Sequence, residues 1–363
     1  MNSFVDLDRT LSAQPARVGV LLQRADVGRG REELYRNQLT ELLDSLAEET
    51  KVASITASSA IEGVTVEPSR GQKLALSAEP PRFRNRNERE FAGYRDAIDE
   101  ITRTRGGEAL SVPFILHVHR QLFRHVDGNG GQLKADQNFI VSYEGGARTI
   151  LFEPPPPEQT EFMLTELVHR YEDARKKHVA HPLVLLAAFI LDFLAIHPFA
   201  DGNGRVARIL TTHLLLREGY GVPQYVSVEQ RIFETKNSYY DALGASQRGW
   251  LEAKHSPWPW IEYLATVLSE AYDAFEKRVA AVRSGKGLTK QDRVREYVLK
   301  HAPQRFTIED VRRSVLGVST ETIRLVLARL RKEGIVKPVG FGRSAAWERI
   351  STAETAAGVA VPQ

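Results

Sequence analysis

The 363-residue chain carries 49 Lys and Arg against 46 Asp and Glu, has 42% hydrophobic and 26% charged residues, and contains no cysteine. Those values describe a globular chain with room for a large core and roughly two or three domains, and they exclude disulfide frameworks and thiolate metal sites. No basic stretch followed by an apolar core opens the chain, and the Leu183 to Ile196 run is broken by Asp192 and too short to span a bilayer, so a cytoplasmic protein without a membrane partner is expected.

Residues up to Gly30 are a mixed lead-in to which no function is given. Leu34, Leu39, Leu42, Leu43 and Leu46 recur near the helical period and predict a helix from Glu32 to Glu49. A second follows over Lys51–Ile61. Ser58 and Glu62, at i and i+4, share one face of it, and Gly63 suits its C-terminal cap. The basic, proline-bearing stretch Pro80–Asn87 reads as a loop, then Glu88–Ile101 as a helix with Phe91, Tyr94 and Ile98 inward. Val112–Phe123 is another. Its His117 and His119 are two apart and fall on different faces, which fits core or solvent-edge positions better than metal ligation. Phe139–Tyr143 and Arg148–Phe152 flank Glu144-Gly145-Gly146-Ala147, the pattern of a β-hairpin, and Glu158–Lys177 is helical again.

The stretch that organises the chain is Ile196-His197-Pro198-Phe199-Ala200-Asp201-Gly202-Asn203-Gly204-Arg205-Val206-Ala207-Arg208. It lies between two apolar segments, Leu183–Ile196 and Arg205–Arg217, and reads as helix, tight loop, helix. Pro198 disfavours helical geometry at His197, and Gly202 and Gly204 permit close backbone approach. Peptide N–H groups at the start of the second helix make a natural phosphate site. Arg205 and Arg208, three apart, stand one turn from each other and can clamp phosphate oxygens; Asp201 offers a hard oxygen to Mg²⁺; and His197 is the side chain suited to general-base work near neutral pH. A lone Asp-Gly-Asn-Gly would be only a turn, and Asp127-Gly128-Asn129-Gly130 is such a copy without the flanking His and Arg. An EF-hand is excluded because Arg205 stands where a third oxygen is needed.

The string HPFADGNGRVAR matches in full the Fic signature His-Pro-Phe-x-(Asp/Glu)-Gly-Asn-Gly-Arg-x-x-Arg, and the chain resembles that family over roughly residues 50 to 270. The resemblance implies transfer of AMP from ATP to a Ser, Thr or Tyr hydroxyl of a protein, including this chain itself as a candidate acceptor. His197 is then the base, Asp201 the Mg²⁺ ligand, and Gly202, Asn203, Gly204, Arg205 and Arg208 the phosphate site. Ser58, Glu62 and Gly63 fit (Ser/Thr)-x-x-x-Glu-(Gly/Asn), which implies an inhibitory helix whose Glu62 pairs with Arg208 in the place of the γ-phosphate. The hairpin becomes a flap, with Ile140, Val141, Ser142, Thr149, Ile150 and Leu151 aligning the target by strand addition. Tyr239 and Tyr240 resemble the family's Tyr-Tyr-x-x-Leu aromatics of the nucleotide pocket, and Gln247 stands where some relatives place an adenine-contacting Asn. Each of these three is equally readable as packing. Gly131-Gln132-Leu133-Lys134 departs from the family's Gly-x-x-Arg, keeping charge but not bidentate geometry.

Beyond Ser284-Gly285-Lys286-Gly287, Lys290–His301 is helical, Thr307 to Asp310 opens a second helix with a capping pattern, and Ser319 caps a third running to Lys332. Ile335–Pro338 and Ala345–Ile350 then form strands around a Phe341-Gly342-Arg343 tip, and the whole resembles a winged helix. From Lys286 to Arg349 there are roughly two basic residues for each acidic one, a bias suited to phosphate contact. If DNA binds, Ser319, Thr320, Thr322 and Arg324 face the groove and Arg343 lies on the wing; dimerisation or partner docking is the competing use. The expected chain is mainly α, a Fic helical core with a β-hairpin flap plus a C-terminal winged-helix domain. Its divisions are 1–75 with the inhibitory helix, 76–282 the core, 283–288 a linker, 289–350 the winged helix, and 351–363 a disordered tail. Two other uses stay open: a phosphodiesterase that removes AMP through the same site, and a DNA-binding, nucleotide-sensing regulator. A homo-oligomer is open too.

Overall fold

A computed structural model of the chain describes residues 1–38, 40–77, 82–126, 128, 130–144, 147–284, 290–300, 302–315, 317–340 and 346–350. The chain divides into two compact units, Met1–Gln38 with Leu46–Phe275, and Leu39–Ser45 with Glu276–Gln363. A 3₁₀ turn, Asn2–Phe4, leads into α1 (Leu7–Ser12), α2 (Ala16–Gln38), α3 (Thr40–Ile61), α4 (Pro68–Leu76), α5 (Arg86–Thr104) and α6 (Val112–Leu122). The hairpin β1 (Ile140–Glu144) and β2 (Ala147–Phe152) follows, then α7 (Pro157–Lys176), α8 (Pro182–Ile196), α9 (Asn203–Arg217), α10 (Val228–Glu234), α11 (Lys236–Gln247) and α12 (Trp258–Ser284). The lead-in is largely helical, and the helix expected over Glu32–Glu49 is divided between α2 and α3. Its glycines do not break α2, and Gly28 permits close packing, since a Cβ there would collide with the Tyr272 ring of α12.

The centre of the larger unit is α8, buried from Leu183 to Ile196 and packed against α7 and α9, while α5 and α6 pack on α9. Pro182 at its first turn and His181, whose Nδ1 accepts the Leu183 N–H at 3.2 Å, start the helix. Asp192, the charge inside this apolar run, is fully buried and accepts hydrogen bonds from Ser3 Oγ and Trp250 Nε1, both at 2.6 Å. That pairing meets the cost of burying a carboxylate. Ser111 and Asn85 cap α6 and α5 through the N–H groups of Phe114 and Glu88. The flap strands are antiparallel, with Val141 opposite Ile150 and Ser142 opposite Thr149; Gly145 and Gly146, expected at the turn, lie outside the described residues.

In the second unit, α13 (Lys290–Lys300), α14 (Ile308–Ser314) and α15 (Thr320–Lys332) accompany β3 (Arg305–Phe306), β4 (Val336–Val339) and β5 (Ala346–Arg349), in antiparallel sheet order β3-β5-β4. Thr307 and Asp310 form a full capping box, and Ser319 caps α15 through the Thr322 N–H. Val298, Phe306, Ile323 and Leu327 lie in its core. The two-residue strand β3 has no periodicity and escapes a sequence reading. α12 runs to Ser284, so the expected linker at 283–288 begins inside a helix; 285–289, the tip with Arg343 and the tail 351–363 lie outside the described residues.

Candidate active site

The loop 197–202 is formed by its own sequence and then held by its neighbours. α8 ends at Ile196, and His197 leaves it in the left-handed region at φ 50°, ψ 62°, a conformation costly for a residue with a Cβ. Gly202, at φ 83°, precedes α9 and has Phe123 so close that a Cβ would meet its ring at 2.8 Å. Asn203 does not cap the helix. Its Oδ1 accepts the Phe199 N–H at 2.9 Å and its Nδ2 donates to the Phe199 carbonyl at 2.7 Å, which ties the loop shut. The first N–H groups of α9 therefore lack a side-chain cap and can receive an anion.

His197 Nδ1 lies 3.3 Å from the Leu194 carbonyl, an acceptor, so the neutral ring carries its proton on Nδ1 and has its lone pair on Nε2. Burial, reinforced by the nearby Lys134 charge, pushes the imidazole down to about 4, against the opposing pull of Leu194, Glu62 and Asp201. It is neutral at pH 7. Arg208 is buried and held by α3: Nε donates to Ser58 Oγ at 2.8 Å, and Nη2 to the Ser58 carbonyl at 3.1 Å and to Glu62 Oε1 at 2.8 Å. Burial alone would raise the Glu62 carboxyl, but Arg208, then Arg205 and Lys236, hold it below its ordinary range. A Cβ on Gly204 would collide with Glu62 Oε1, so this carboxylate already sits against the opening turn of α9. Gly63 follows the helix at φ 78°.

Arg205, expected on phosphate, is buried and turned to Glu90 of α5 at 2.5 Å, with Asp201 Oδ1 3.5 Å from its Nη2; among the described residues its Nε has no hydrogen-bond partner. Asp201 is largely exposed, and its Oδ1 accepts the Gly202 N–H at 2.6 Å. Among the described residues no group of three or more acidic or histidine side chains could hold a metal. A single outward carboxylate fits a Mg²⁺ that keeps waters and takes its other ligands from phosphates. Tyr239 is buried edge-on to Trp260, with centroids 5.3 Å apart, whereas Tyr240 is exposed. Gln247 is buried, its Nε2 has no partner, and it lines a cleft of about 270 Å³ together with Leu151 and Phe152 of the flap. Ile150 and Leu151 are exposed on β2. In the second unit Ser319 and Arg324 are exposed, Thr320 and Thr322 half-buried, and the Ser319 hydroxyl is taken up in capping.

Several supporting residues escaped the sequence. His119 stacks on Phe199 at 3.8 Å and 1°, accepts the Gly131 N–H on Nδ1 at 2.8 Å, and so presents Nε2–H to the Asp201 carbonyl at 3.1 Å. Asn138, just before the flap, donates to the carbonyls of His197 and Phe199 at 3.3 and 3.0 Å. Lys134 donates to Asn138 Oδ1 at 3.0 Å and to the Ile196 carbonyl at 3.2 Å, a cation at the C-terminus of α8; burial pushes it down to about 8. His119 had no spacing signal. Lys134 had one, the Gly-x-x-Lys departure.

A helical bundle with a loop of this kind and a two-stranded flap is the architecture of the Fic fold. Residues 109–215 match the Fic/DOC family model, and that segment is a Fic domain. The chain is similar to a Fic family protein from Desulfovibrio desulfuricans G20, with a TM-score of 0.59 and 20% identity over 93% of this chain and 97% of that one. It is also similar to Fic-1 of C. elegans, at 0.54 and 22% over 71% of each. Among curated relatives, a protein adenylyltransferase Fic of Nematostella vectensis is 24% identical over 192 residues, and one of Drosophila yakuba 28% over 167. Those matches take in 51% and 46% of this chain but only 39% and 29% of the relatives' length.

Proposed function

We propose that the chain is a protein adenylyltransferase held back by its own α3. The observation that carries this reading is the convergence of a neutral His197, an uncapped α9 N-terminus and the buried Arg208 on a space that the Glu62 carboxylate now occupies. A carboxylate there competes with a nucleotide phosphate for the same donors. With Glu62 displaced, the N–H groups of Asn203 and Gly204, joined by that of Gly202 once Asp201 Oδ1 releases it, would receive the α- and β-phosphates and Arg208 the γ-phosphate. A Ser, Thr or Tyr oxygen of the acceptor attacks the α-phosphorus, the bond to the bridging oxygen of the β-phosphate breaks, and pyrophosphate leaves. The hydroxyl proton passes to His197 Nε2. Mg²⁺ on Asp201, when bound, supplies positive charge to the phosphates. Arg205 would lend positive charge to the same wall while Glu90 fixes its direction, and Tyr239, Tyr240 and Gln247 would form the base pocket. The exposed β2 backbone would take the acceptor segment as an added strand.

The test is transfer of label from α-³²P-ATP with Mg²⁺ to the chain itself and to lysate proteins, in wild type, Glu62→Gly and Glu62→Gly/His197→Ala. Label that rises in the single variant and vanishes in the double is expected. Folded, ATP-binding variants that never transfer label, yet release AMP from a modified protein, would turn the reading to a phosphodiesterase. DNA contact through α15 rests on the exposed Arg324 and the basic bias of the second unit. A gel shift of the full chain that is lost in Arg324→Ala is expected; no shift at low salt removes that role.

A further inference from the structure

On the side of α3 that carries Thr50 and Ser54, a cavity of about 190 Å³ opens between that helix, α5 and the segment from α9 to α10, wholly within the larger unit. Glu229 lines it and is 2% exposed. Its carboxylate is touched by hydroxyls at long range, those of Tyr94 at 3.3 Å, Ser227 at 3.4 Å and Thr212 at 3.5 Å, and among the described residues no cation stands within ion-pair distance. Carboxylates at this depth are ordinarily paired with a cation or strongly hydrogen-bonded, because dehydration of the charge is otherwise uncompensated. Thr50, 3% exposed and on the same wall, has an Oγ1 with no hydrogen-bond partner among the described residues. Among the described residues the one cation on the lining, Lys51, is occupied by Asp99 at 2.7 Å. An unpartnered hydroxyl on Thr50 and a Glu229 carboxylate held only by hydroxyls at 3.3–3.5 Å thus line one space.

The remaining wall narrows the class of guest. Ala47, Ile98 and Pro223 are apolar and suit a carbon skeleton. The volume exceeds that of one water, whose share of liquid is about 30 Å³, so a bare ion would leave most of it unfilled. We infer that this cavity is a binding site for a small primary ammonium compound, its cationic head on Glu229 and Thr50 and its alkyl body against Ala47, Ile98 and Pro223. The site is separate from the ATP-facing side, but Tyr94 connects them: its hydroxyl meets Glu229 and also Ser58, the residue that carries Arg208.

Calorimetric titration of the full chain with 1,4-diaminobutane, against 1,4-butanediol as the neutral compound of equal length, tests the site. Saturable binding of the diamine alone is expected, weakened about tenfold or more by Glu229→Gln, as loss of a charged hydrogen-bond partner implies. If Glu229→Gln does not fold, Thr50→Val keeps the shape, removes the hydroxyl, and is expected to weaken the diamine by a few-fold. Equal binding of diamine and diol, binding of neither, or a folded Glu229→Gln that binds the diamine as wild type does, overturns the assignment.

Discussion

The loop between α8 and α9 and the β1–β2 hairpin belong to the same unit and are built on opposite terms. In the loop, the carbonyls of Ile196, His197, Phe199 and Asp201 each accept a side-chain hydrogen bond, from Lys134, Asn138, Asn138 with Asn203, and His119. The groups that would meet phosphate are therefore aimed before any ligand arrives, which is what electrostatic catalysis requires. In the hairpin, Ile150 and Leu151 stand 53% and 62% exposed, so a partner strand would meet these two apolar side chains as well as main chain. Under the proposed function the reaction chemistry would rest on these internal contacts, whereas the acceptor would meet an exposed strand. Two neighbouring residues join loop and hairpin: Asn138 Nδ2 donates to the carbonyls of His197 and Phe199, and Gln137 Nε2 to the Pro154 carbonyl at 2.8 Å behind the flap.

The contrast breaks most sharply at His197. In the Glu62→Gly background, His197→Ala is expected to lower transfer about 10²- to 10⁴-fold, because under the proposed function the ring takes the proton of the acceptor hydroxyl. Undiminished turnover in that variant would sink the assignment. Next comes the support of the loop. Glu90→Ala would leave Arg205 buried without its carboxylate, and such uncompensated charges cost about 3–5 kcal/mol; urea unfolding measures it, and a loss below about 1 kcal/mol would mean that the pair is not what holds Arg205.

A smaller effect follows from pH. Burial pushes His119 and His213 down to about 4, so in the folded state they stay neutral where unfolded histidines, near 6.5, take protons. The unfolded chain then binds more protons between about pH 6.5 and 4, and stability must fall as pH drops through that window, by up to about 1.4 kcal/mol per pH unit for each ring. Denaturant melts at pH 7, 5.5 and 4.5 check the sign, and His213→Phe should flatten the slope. A melt unchanged down to pH 4.5 contradicts it. The smallest change in stability belongs to the flap: Ile150→Ser with Leu151→Ser should alter it within about 0.5 kcal/mol, yet raise the KM for a protein acceptor while ATP binding holds. Equal KM values would detach the hairpin from acceptor docking.

What the sequence determined by itself was local. His197 to Arg208 are contiguous, and proline, glycine and the flanking apolar runs dictate a helix, loop and helix without reference to the rest of the chain. Capping at Thr307 and Ser319 was legible for the same reason, since donor and acceptor lie three positions apart. Apart from the Glu62–Arg208 pair, which the family resemblance already implied, tertiary structure decided which distant residues complete the site. Glu62 reaches Arg208 across 146 positions, Arg205 finds Glu90 across 115, and His119 finds the Asp201 carbonyl across 82. No periodicity encodes such pairings, because they arise when α3, α5 and α6 pack around α8 and α9. That packing turned Arg205 toward Glu90, directed the Asn203 side chain into the loop, and left Gln247 and Thr50 buried with a free polar atom each. The motif supplied the groups of the site, and the packing of separate helices set the direction in which each one points.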